Sequence, residues 1–141
     1  MTIALRGLAT GLVTSALALG LSACGETAST GSFKGEDRNV AQTISNFQSD
    51  ATSANKQKLC ANDLASAITT RLKSAGGCEA AVTEQLKQLD SFGLTIQSIA
   101  VNGNSATARV KSTWSGKSRM ATISLVKQGA RWKISGLPST Q

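Results

Sequence analysis

The spacing of apolar residues changes from about 3.6 to 2 near Asp90, and this change constrains the fold more than any other feature. Before Asp90, apolar side chains recur at steps of three and four, as in amphipathic helices. After it, they alternate with polar side chains, as in strands that bury one face. Because the helices precede the strands, the chain predicts an α+β fold in which N-terminal helices pack on an antiparallel sheet.

Three helices are predicted before the change in spacing. The first covers residues 37–54, and its apolar side chains form one stripe. The second uses the apolar residues of segment 59–72, with Asn62 as a plausible N-cap, and the glycines at 76 and 77 end it. The third covers residues 78–89 and opens at a cysteine.

Four strands are predicted after the change, joined by tight turns into a meander. The parity of the first strand slips near Gln97 and Ser98, which predicts a β-bulge there. The alternation places Trp114 and Trp132 on the inward face of the sheet, where large aromatic side chains belong to the core. The turns are predicted at Asn102-Gly103, Ser115-Gly116 and Gln128-Gly129.

The N-terminal residues 1–23 have the features of an export signal. A single charge, Arg6, precedes an uncharged run rich in Leu, Ala and Gly, which is too short for a typical membrane-spanning helix. The run ends in Leu-Ser-Ala followed by Cys24, a string that resembles the bacterial lipobox. That resemblance implies a lipoprotein whose Cys24 carries the lipid and holds the chain on the extracytoplasmic face of the cell membrane.

The boundaries of the folded domain follow from composition. Residues 24–35 are mostly small and polar, so we expect a lipidated cysteine and a flexible tether that buries nothing. Residues 36–137 carry the periodic patterns and form the predicted domain, and residues 138–141 are a C-terminal tail.

Cys60 and Cys78 remain as an even pair once Cys24 is lipidated, in a chain predicted to be exported. They are therefore predicted to form a disulfide, which would stabilise the fold by ~3 kcal/mol on the chain-entropy model. Their spacing is not that of a Cys-X-X-Cys redox motif, and two cysteines without histidine are too few for a metal site. No metal or cofactor is predicted.

The chain contains neither histidine nor tyrosine, which removes most familiar general acids and bases. No acidic residue follows Asp90, so an enzyme would have to use carboxylates from the helices, such as Asp50, Asp63 and Glu84. We predict no catalytic residue. Two of these carboxylates converging in a pocket would favour the enzyme hypothesis.

The sheet half of the chain is purely basic, with seven Lys and Arg residues and no acid in segment 92–141. Strand parity places Arg109, Lys111, Arg131 and Lys133 on the solvent face, as a candidate anion-binding surface for anionic lipid headgroups or wall polymers. The alternative is that these cations only maintain solubility and block edge-to-edge strand pairing. Export and the inward tryptophans argue against nucleic acid as a partner.

The order of helices, a disulfide-bearing helical hairpin and four strands ending in the segment Gly129–Gly136 resembles the cystatin-like α+β cone. More narrowly, it resembles the nuclear transport factor 2-like domains of small actinobacterial lipoproteins. The resemblance covers residues 36–137 and implies a curved sheet wrapped around a helix, with room for a pocket at the open end of the cone. The enzymes of that superfamily use Asp, His, Tyr or Arg inside the cone, and this chain lacks two of those residue types.

These observations lead to three functional hypotheses. The first is a non-enzymatic binding or interaction domain held at the cell envelope by its lipid. The second is a carrier of an apolar small molecule in the cone. The third is an enzyme of the nuclear transport factor 2-like type. The sequence leaves the ligand and the oligomeric state open.

Overall fold

A computed structural model of the chain describes residues 28–89 and 91–137. The predicted export signal, the lipidated Cys24 and the tail 138–141 lie outside these residues, so those predictions remain untested. Within the described ranges, every helix is too short or too polar to span a lipid bilayer.

Helix α1 (Gly35–Thr52) is the predicted first helix, displaced by two residues toward the N-terminus. Two acidic residues lie in its first turn, where the helix dipole stabilises negative charge. Its apolar stripe, represented by Val40, Ile44 and Phe47, is buried against the sheet. The opposite face of α1 consists of polar side chains and remains exposed to solvent.

The second helix, predicted over residues 59–72, is not continuous. Helix α2 (Lys56–Lys58) leads directly into a single π-helical turn, Leu59–Asp63, which is closed by the Leu64 N–H donating to the Leu59 carbonyl at 2.9 Å. Helix α3 (Ser66–Lys73) begins only after two extended residues. The prediction that Asn62 caps one continuous helix is therefore wrong, because Asn62 lies inside the π turn.

The interruption has a tertiary cause. Leu64 forms a parallel β-bridge with Ile134, and the Ala65 N–H donates to the Ile134 carbonyl at 2.8 Å. Both Leu64 and Ala65 are buried. Pairing with the sheet edge satisfies backbone groups that a continuous helix would otherwise use, so the chain leaves the helical conformation at this point.

Helix α4 (Cys78–Leu86) opens at the predicted cysteine and ends three residues before the predicted boundary. Cys60 and Cys78 form the predicted disulfide, with their Cα atoms 6.0 Å apart, and the prediction is confirmed. The bond joins the π turn to the first residue of α4. Gly77 precedes α4 with φ at 105°, a conformation that favours glycine.

The four strands form an antiparallel meander in the order β1-β2-β3-β4, which confirms the predicted α+β architecture. The register between β1 and β2 shifts between Ile96 and Ser98, where the bulge was predicted. The strands are β1 (Phe92–Asn102), β2 (Ser105–Trp114), β3 (Lys117–Gln128) and β4 (Arg131–Gly136).

The core fills the space between α1 and the inward face of the sheet. Trp132 is buried as predicted, whereas Trp114 at the end of β2 is only half-buried. The fully buried side chains that close this space are Val40, Ile44, Val110, Ile123, Leu125 and Ile134.

One part of the predicted tether packs against the domain. Ala28 is 3% exposed and belongs to the core, and its N–H donates to the side-chain oxygen of Gln48 at 3.2 Å. The same oxygen accepts the Leu94 N–H, also at 3.2 Å, so Gln48 joins the segment before α1 to the start of β1. The expectation that residues 24–35 bury nothing is wrong at Ala28, because a buried glutamine offers its backbone a partner.

Candidate functional site

Two adjoining hollows lie beside the polar face of α1, with volumes of about 400 and 310 Å³. Asn46, Asn62 and Asp63 line both hollows, so we treat them as one site and call it the polar groove. Its walls are α1, the π turn with the end of α2, and the start of β4. The other lining residues are Asn39, Gln42, Thr43, Ser49, Asp50, Lys58, Ala130, Arg131 and Trp132.

The wall formed by α1 follows from helical spacing. Asn39, Gln42, Asn46 and Ser49 are three or four residues apart, so they form one stripe along the solvent side of the helix. The Gln42 side-chain amide donates to the Asn46 side-chain oxygen at 2.9 Å. This stripe therefore offers both hydrogen-bond donors and acceptors without a formal charge, and Asp50 is the acidic residue of the α1 wall.

The opposite wall depends on the π turn. Its last two residues, Asn62 and Asp63, face the groove, and the next residues are fixed to the edge of β4. Cys60, three residues before Asp63, is fixed to α4 by the disulfide. The π turn is thus held on both sides, which restricts where the Asp63 carboxyl can lie. Single π turns of this kind occur frequently at functional sites.

Asp63 is the most unusual residue of the groove. It is only 3% exposed, and its Oδ2 atom has no hydrogen-bond partner among the described residues. The pKa of this carboxyl is raised to about 7, chiefly by burial and also by the negative charge of Asp50 and hydrogen bonding with it. The nearby Lys133 and Lys58 oppose this effect but do not cancel it. The Asp63 carboxyl therefore changes its protonation state near neutral pH.

The basic residues near this carboxyl pair neutralise it only in part. The Lys58 ammonium is 3.9 Å from an Asp50 carboxylate oxygen and is largely exposed. The Lys133 ammonium donates instead to the Ala61 carbonyl, at 2.8 Å. Asp50 and Asp63 consequently form a region of negative charge in a groove whose other lining residues include amides and hydroxyls together with Lys58, Arg131 and Trp132.

The other end of α1 carries a carboxylate with a complete set of partners. One oxygen of Glu36 accepts from the Lys127 ammonium at 2.9 Å, and the other accepts from the Trp132 indole N–H at 2.7 Å. The Lys127 ammonium also lies 5.7 Å from the centre of the Trp132 ring. The hydrogen bond from Lys127, followed by that from Trp132, lowers the pKa of Glu36.

Of the three helix carboxylates that the sequence offered to an enzyme, two come together. Asp50 from α1 and Asp63 from the π turn meet in the polar groove. Glu84 lies on the exposed face of α4, where it forms an ion pair with Lys87 at 2.7 Å. The spacing of 13 residues between the two aspartates gave no indication of this meeting, because it depends on the chain reversal between α1 and the π turn.

The four basic residues predicted on the solvent face occupy different surroundings. Arg109 and Lys111 are exposed on the outward face of β2. Arg131 is exposed at the start of β4 and lines the polar groove, and Lys133 is half-buried with its ammonium bound to a carbonyl. Strand β3 lies between the two pairs.

The neutral amides of the groove were not identified from the sequence. Asn39, Gln42 and Asn46 recur at helical spacing on α1, and that spacing is a signal that could have drawn attention to them. Asn62 was interpreted as a helix cap instead. In the described part of the chain, no three His, Cys, Asp or Glu side chains cluster as metal ligands would.

Comparison with known proteins identifies one family. The family model described as "Putative lumazine-binding" matches residues 37–136, which include most of α1, the π turn and all four strands. That family belongs to the nuclear transport factor 2-like superfamily, so the resemblance stated from the sequence is confirmed at that level. No curated protein matches the chain.

One similar solved structure has a title that begins "Rd1NTF2_05" and continues with five substitutions. It is 14% identical, with a TM-score of 0.48, and the alignment covers 72% of this chain and 96% of that one.

Proposed function

Because the chain belongs to this lumazine-binding family, we propose that its domain binds a small polar molecule in the groove beside α1. The observation that carries the proposal is the Asp63 carboxyl, which is buried, lines both hollows and has an oxygen without a partner. A small molecule with a hydrogen-bond donor would supply that partner.

The energetics of Asp63 support a binding role. A buried carboxyl oxygen without a hydrogen bond costs a folded protein roughly 1–3 kcal/mol, and more when it is charged. Structural carboxylates avoid this cost by acquiring partners, as Glu36 does. A site that retains an unsatisfied polar group loses stability, and such losses are typical of functional sites.

The polarity of the groove favours a polar ligand over the apolar one considered from the sequence. Asn39, Gln42, Asn46 and Asn62 line it with side-chain amides, while the space between α1 and the sheet is occupied by buried side chains. The family description names lumazine, a heterocycle whose N–H and carbonyl groups lie along its edge. Lumazine is therefore a suitable first probe of this groove.

Native mass spectrometry and calorimetry test the binding proposal. We expect the chain from its native host to retain a small molecule, or else to bind lumazine in a calorimetric titration. The substitution Asp63→Asn should weaken either complex at least tenfold, whereas the matched control Glu84→Gln should not change it. An empty wild-type protein that gives no lumazine binding would contradict the proposal, as would a complex that Asp63→Asn leaves intact.

We further propose that the domain works at the cell envelope, attached to the membrane by a lipid on Cys24. The support is the charge, apolar run and Leu-Ser-Ala-Cys string of residues 1–24. Each buried methylene contributes ~0.8 kcal/mol, so two or three acyl chains would anchor the protein stably. Cys24→Ala should release the protein from membranes, and retention of this variant after alkaline washing would contradict the anchor.

Exposed basic residues provide a second contact with that membrane in this proposal. Arg109 and Lys111 point outward from β2, and segment 92–141, to which they belong, contains no acidic residue. Each cation near an anionic bilayer contributes about 1 kcal/mol. Replacing both with serine should weaken sedimentation of the Cys24→Ala chain with anionic liposomes at low salt. Unchanged sedimentation would assign these cations to solubility alone.

Acid–base catalysis is the second candidate function, favoured by the approach of Asp50 to Asp63. A carboxyl with a pKa of about 7 exchanges protons efficiently at neutral pH. Mass spectrometry of the retained small molecule during incubation separates this candidate from simple binding. Chemical conversion that stops in Asp63→Asn would indicate an enzyme, and an unaltered molecule would indicate a non-enzymatic binding domain.

A further inference from the structure

We propose that the carboxyl pair of Asp50 and Asp63 binds a cationic nitrogen group, such as an amidine, guanidine or primary amine, on the ligand of the polar groove. This inference rests on the proposed small-molecule site and specifies the chemistry of its ligand. It follows from three properties of the pair: an unpartnered oxygen, an incompletely compensated charge, and flanking amides.

The unpartnered oxygen determines the polarity of the group that binds. While Asp63 is protonated, it can donate to Asp50, but once ionised it only accepts hydrogen bonds, so the missing partner of its Oδ2 is then a donor. Because Asp63 is 3% exposed, bulk water reaches it poorly and a ligand donor makes its bond in a medium of low polarity. Hydrogen bonds to charged groups are stronger there than at the surface.

The charge of the site selects a cation. Asp50 and Asp63 face each other, and the ammonium of Lys58 approaches only to 3.9 Å, beyond hydrogen-bond distance. Lys133 is already bound to the Ala61 carbonyl. The pair would repel an anion, and a neutral donor would leave the negative charge of the pair uncompensated.

The surrounding groups favour nitrogen over a metal ion. Two carboxylates are too few for a divalent site of the usual composition, and the described residues bring no third acidic or sulfur ligand to them. Asn46 and Asn62 line both hollows beside the pair, and their side-chain oxygens can accept further N–H donors. The planar fork of an amidinium or guanidinium matches this arrangement of carboxylates and amides.

Binding of a cation should be coupled to loss of a proton. Below pH 7, Asp63 is mostly protonated and the pair carries less negative charge, because the pKa of Asp63 is about 7. A cation binds best to the fully ionised pair, so its affinity should rise from pH 6 to pH 8 and then level off. The charged groups that act on Asp63 are Asp50 from α1, Lys58 from α2 and Lys133 from β4, and Arg131 at the start of β4 lines the same groove.

Three isosteric probes test the inference on the full-length chain in an uncharged detergent. Benzamidinium is a cation, benzamide is neutral and benzoate is an anion of nearly the same shape. In an NMR titration at pH 8, we expect benzamidinium to shift the side-chain amide signals of Asn46 and Asn62 and the backbone signal of Asp63. It should bind at least tenfold more tightly than benzamide, and benzoate should bind more weakly still.

Variants establish which groups recognise the charge. Asp63→Asn and Asp50→Asn should each weaken the binding of benzamidinium at least tenfold, and Asp63→Asn should also abolish the difference between pH 6 and pH 8. Glu84→Gln, which removes an exposed carboxylate from α4, should leave both the affinity for benzamidinium and its pH dependence unchanged. Thermal melting of each variant confirms folding, and Asp50→Asn serves as the independent test if Asp63→Asn does not fold.

The outcomes separate this inference from the proposed function. Equal affinity for benzamide and benzamidinium, or no binding of benzamidinium, would overturn cation recognition. If lumazine still shifted the Asn46 and Asn62 signals in that case, the groove would remain a small-molecule site for a neutral ligand. Loss of all these responses would overturn both proposals.

Discussion

Glu36, near the start of α1, and the Asp50–Asp63 pair, near its end, are two carboxyl sites with opposite properties. Glu36 is partly exposed, yet each of its oxygens accepts a hydrogen bond, from Lys127 and from the Trp132 indole. Asp63 is buried, yet one of its oxygens has no partner among the described residues. The more exposed carboxylate is the better satisfied one, which is the reverse of the usual arrangement in proteins.

The difference separates a structural acid from a binding one. Two donors lower the pKa of Glu36, so its ionised form stabilises the fold. Burial and a neighbouring carboxylate raise the pKa of Asp63, so its ionised form destabilises the fold. Glu36 has all its partners within the described residues, whereas in the proposed function Asp63 gains its missing partner from a ligand.

Removal of the disulfide should have the largest effect and should act on one end of α1 only. Replacing Cys60 and Cys78 with serine should lower the free energy of unfolding by ~3 kcal/mol, as measured by chemical denaturation. The π turn should loosen and Asp63 signals should broaden in NMR spectra. The indole N–H signal of Trp132 should stay unchanged, and an equal disturbance there would show that the two sites are not independent.

Asp63→Asn should increase stability at pH 8, because asparagine removes a carboxyl group that burial and Asp50 make costly to ionise. The carboxyl has a pKa of about 7 in the folded chain, against an ordinary value of 3.8. The folded state therefore binds the proton more tightly, and wild-type stability should fall as the pH rises from about 4 to about 7. The variant should lack this dependence in urea denaturation, and a loss of stability at pH 8 would contradict the assignment.

Glu36→Gln should have a smaller effect of opposite sign. Glutamine retains an acceptor for the Trp132 indole but loses the charge that attracts Lys127, so the melting temperature at pH 7 should decrease slightly. The advantage of the wild type is present above the ordinary carboxyl pKa of 4.5 and should vanish as the pH falls through the lowered native value. An advantage that persists in acid would contradict the role of charge.

Lys58→Met should have the smallest effect on stability, below about 0.5 kcal/mol, because its 3.9 Å contact with Asp50 is exposed. Its informative result concerns titration. Lys58 lowers the pKa of Asp63, so the midpoint of the Asp63 carboxyl signal in a ¹³C NMR titration should move to higher pH in the variant. A midpoint that stays in place or moves lower would show that Lys58 does not act on the pair.

The sheet was predictable because its determinants are local. Alternation of apolar residues defines the inward face, and Gly103, Gly116 and Gly129 occupy positive φ angles at the three turns. The bulge at Gln97 was readable because the alternation slips by one residue there. Each of these signals extends over a few neighbouring positions, so the sequence alone was sufficient.

The polar groove was not predictable because its determinants are long-range. Residues 59–72 have helical periodicity, but the pairing of Leu64 and Ala65 with Ile134 breaks the helix and creates the π turn. A contact across 70 residues leaves no trace in local spacing. Asp50 and Asp63 were identified as candidate carboxylates by residue type alone, and only the tertiary structure shows that they meet.

The burial of Ala28 limits how far the domain could move from a bilayer. In the proposed anchored form, four peptide units separate the acylated Cys24 from Ala28, a span of at most ~14 Å even when fully stretched. Mobile ions screen charge over roughly 8–10 Å under physiological conditions. The domain would then stay close to the lipid headgroups. It would meet molecules that diffuse along the lipid surface before molecules that arrive from the bulk solution.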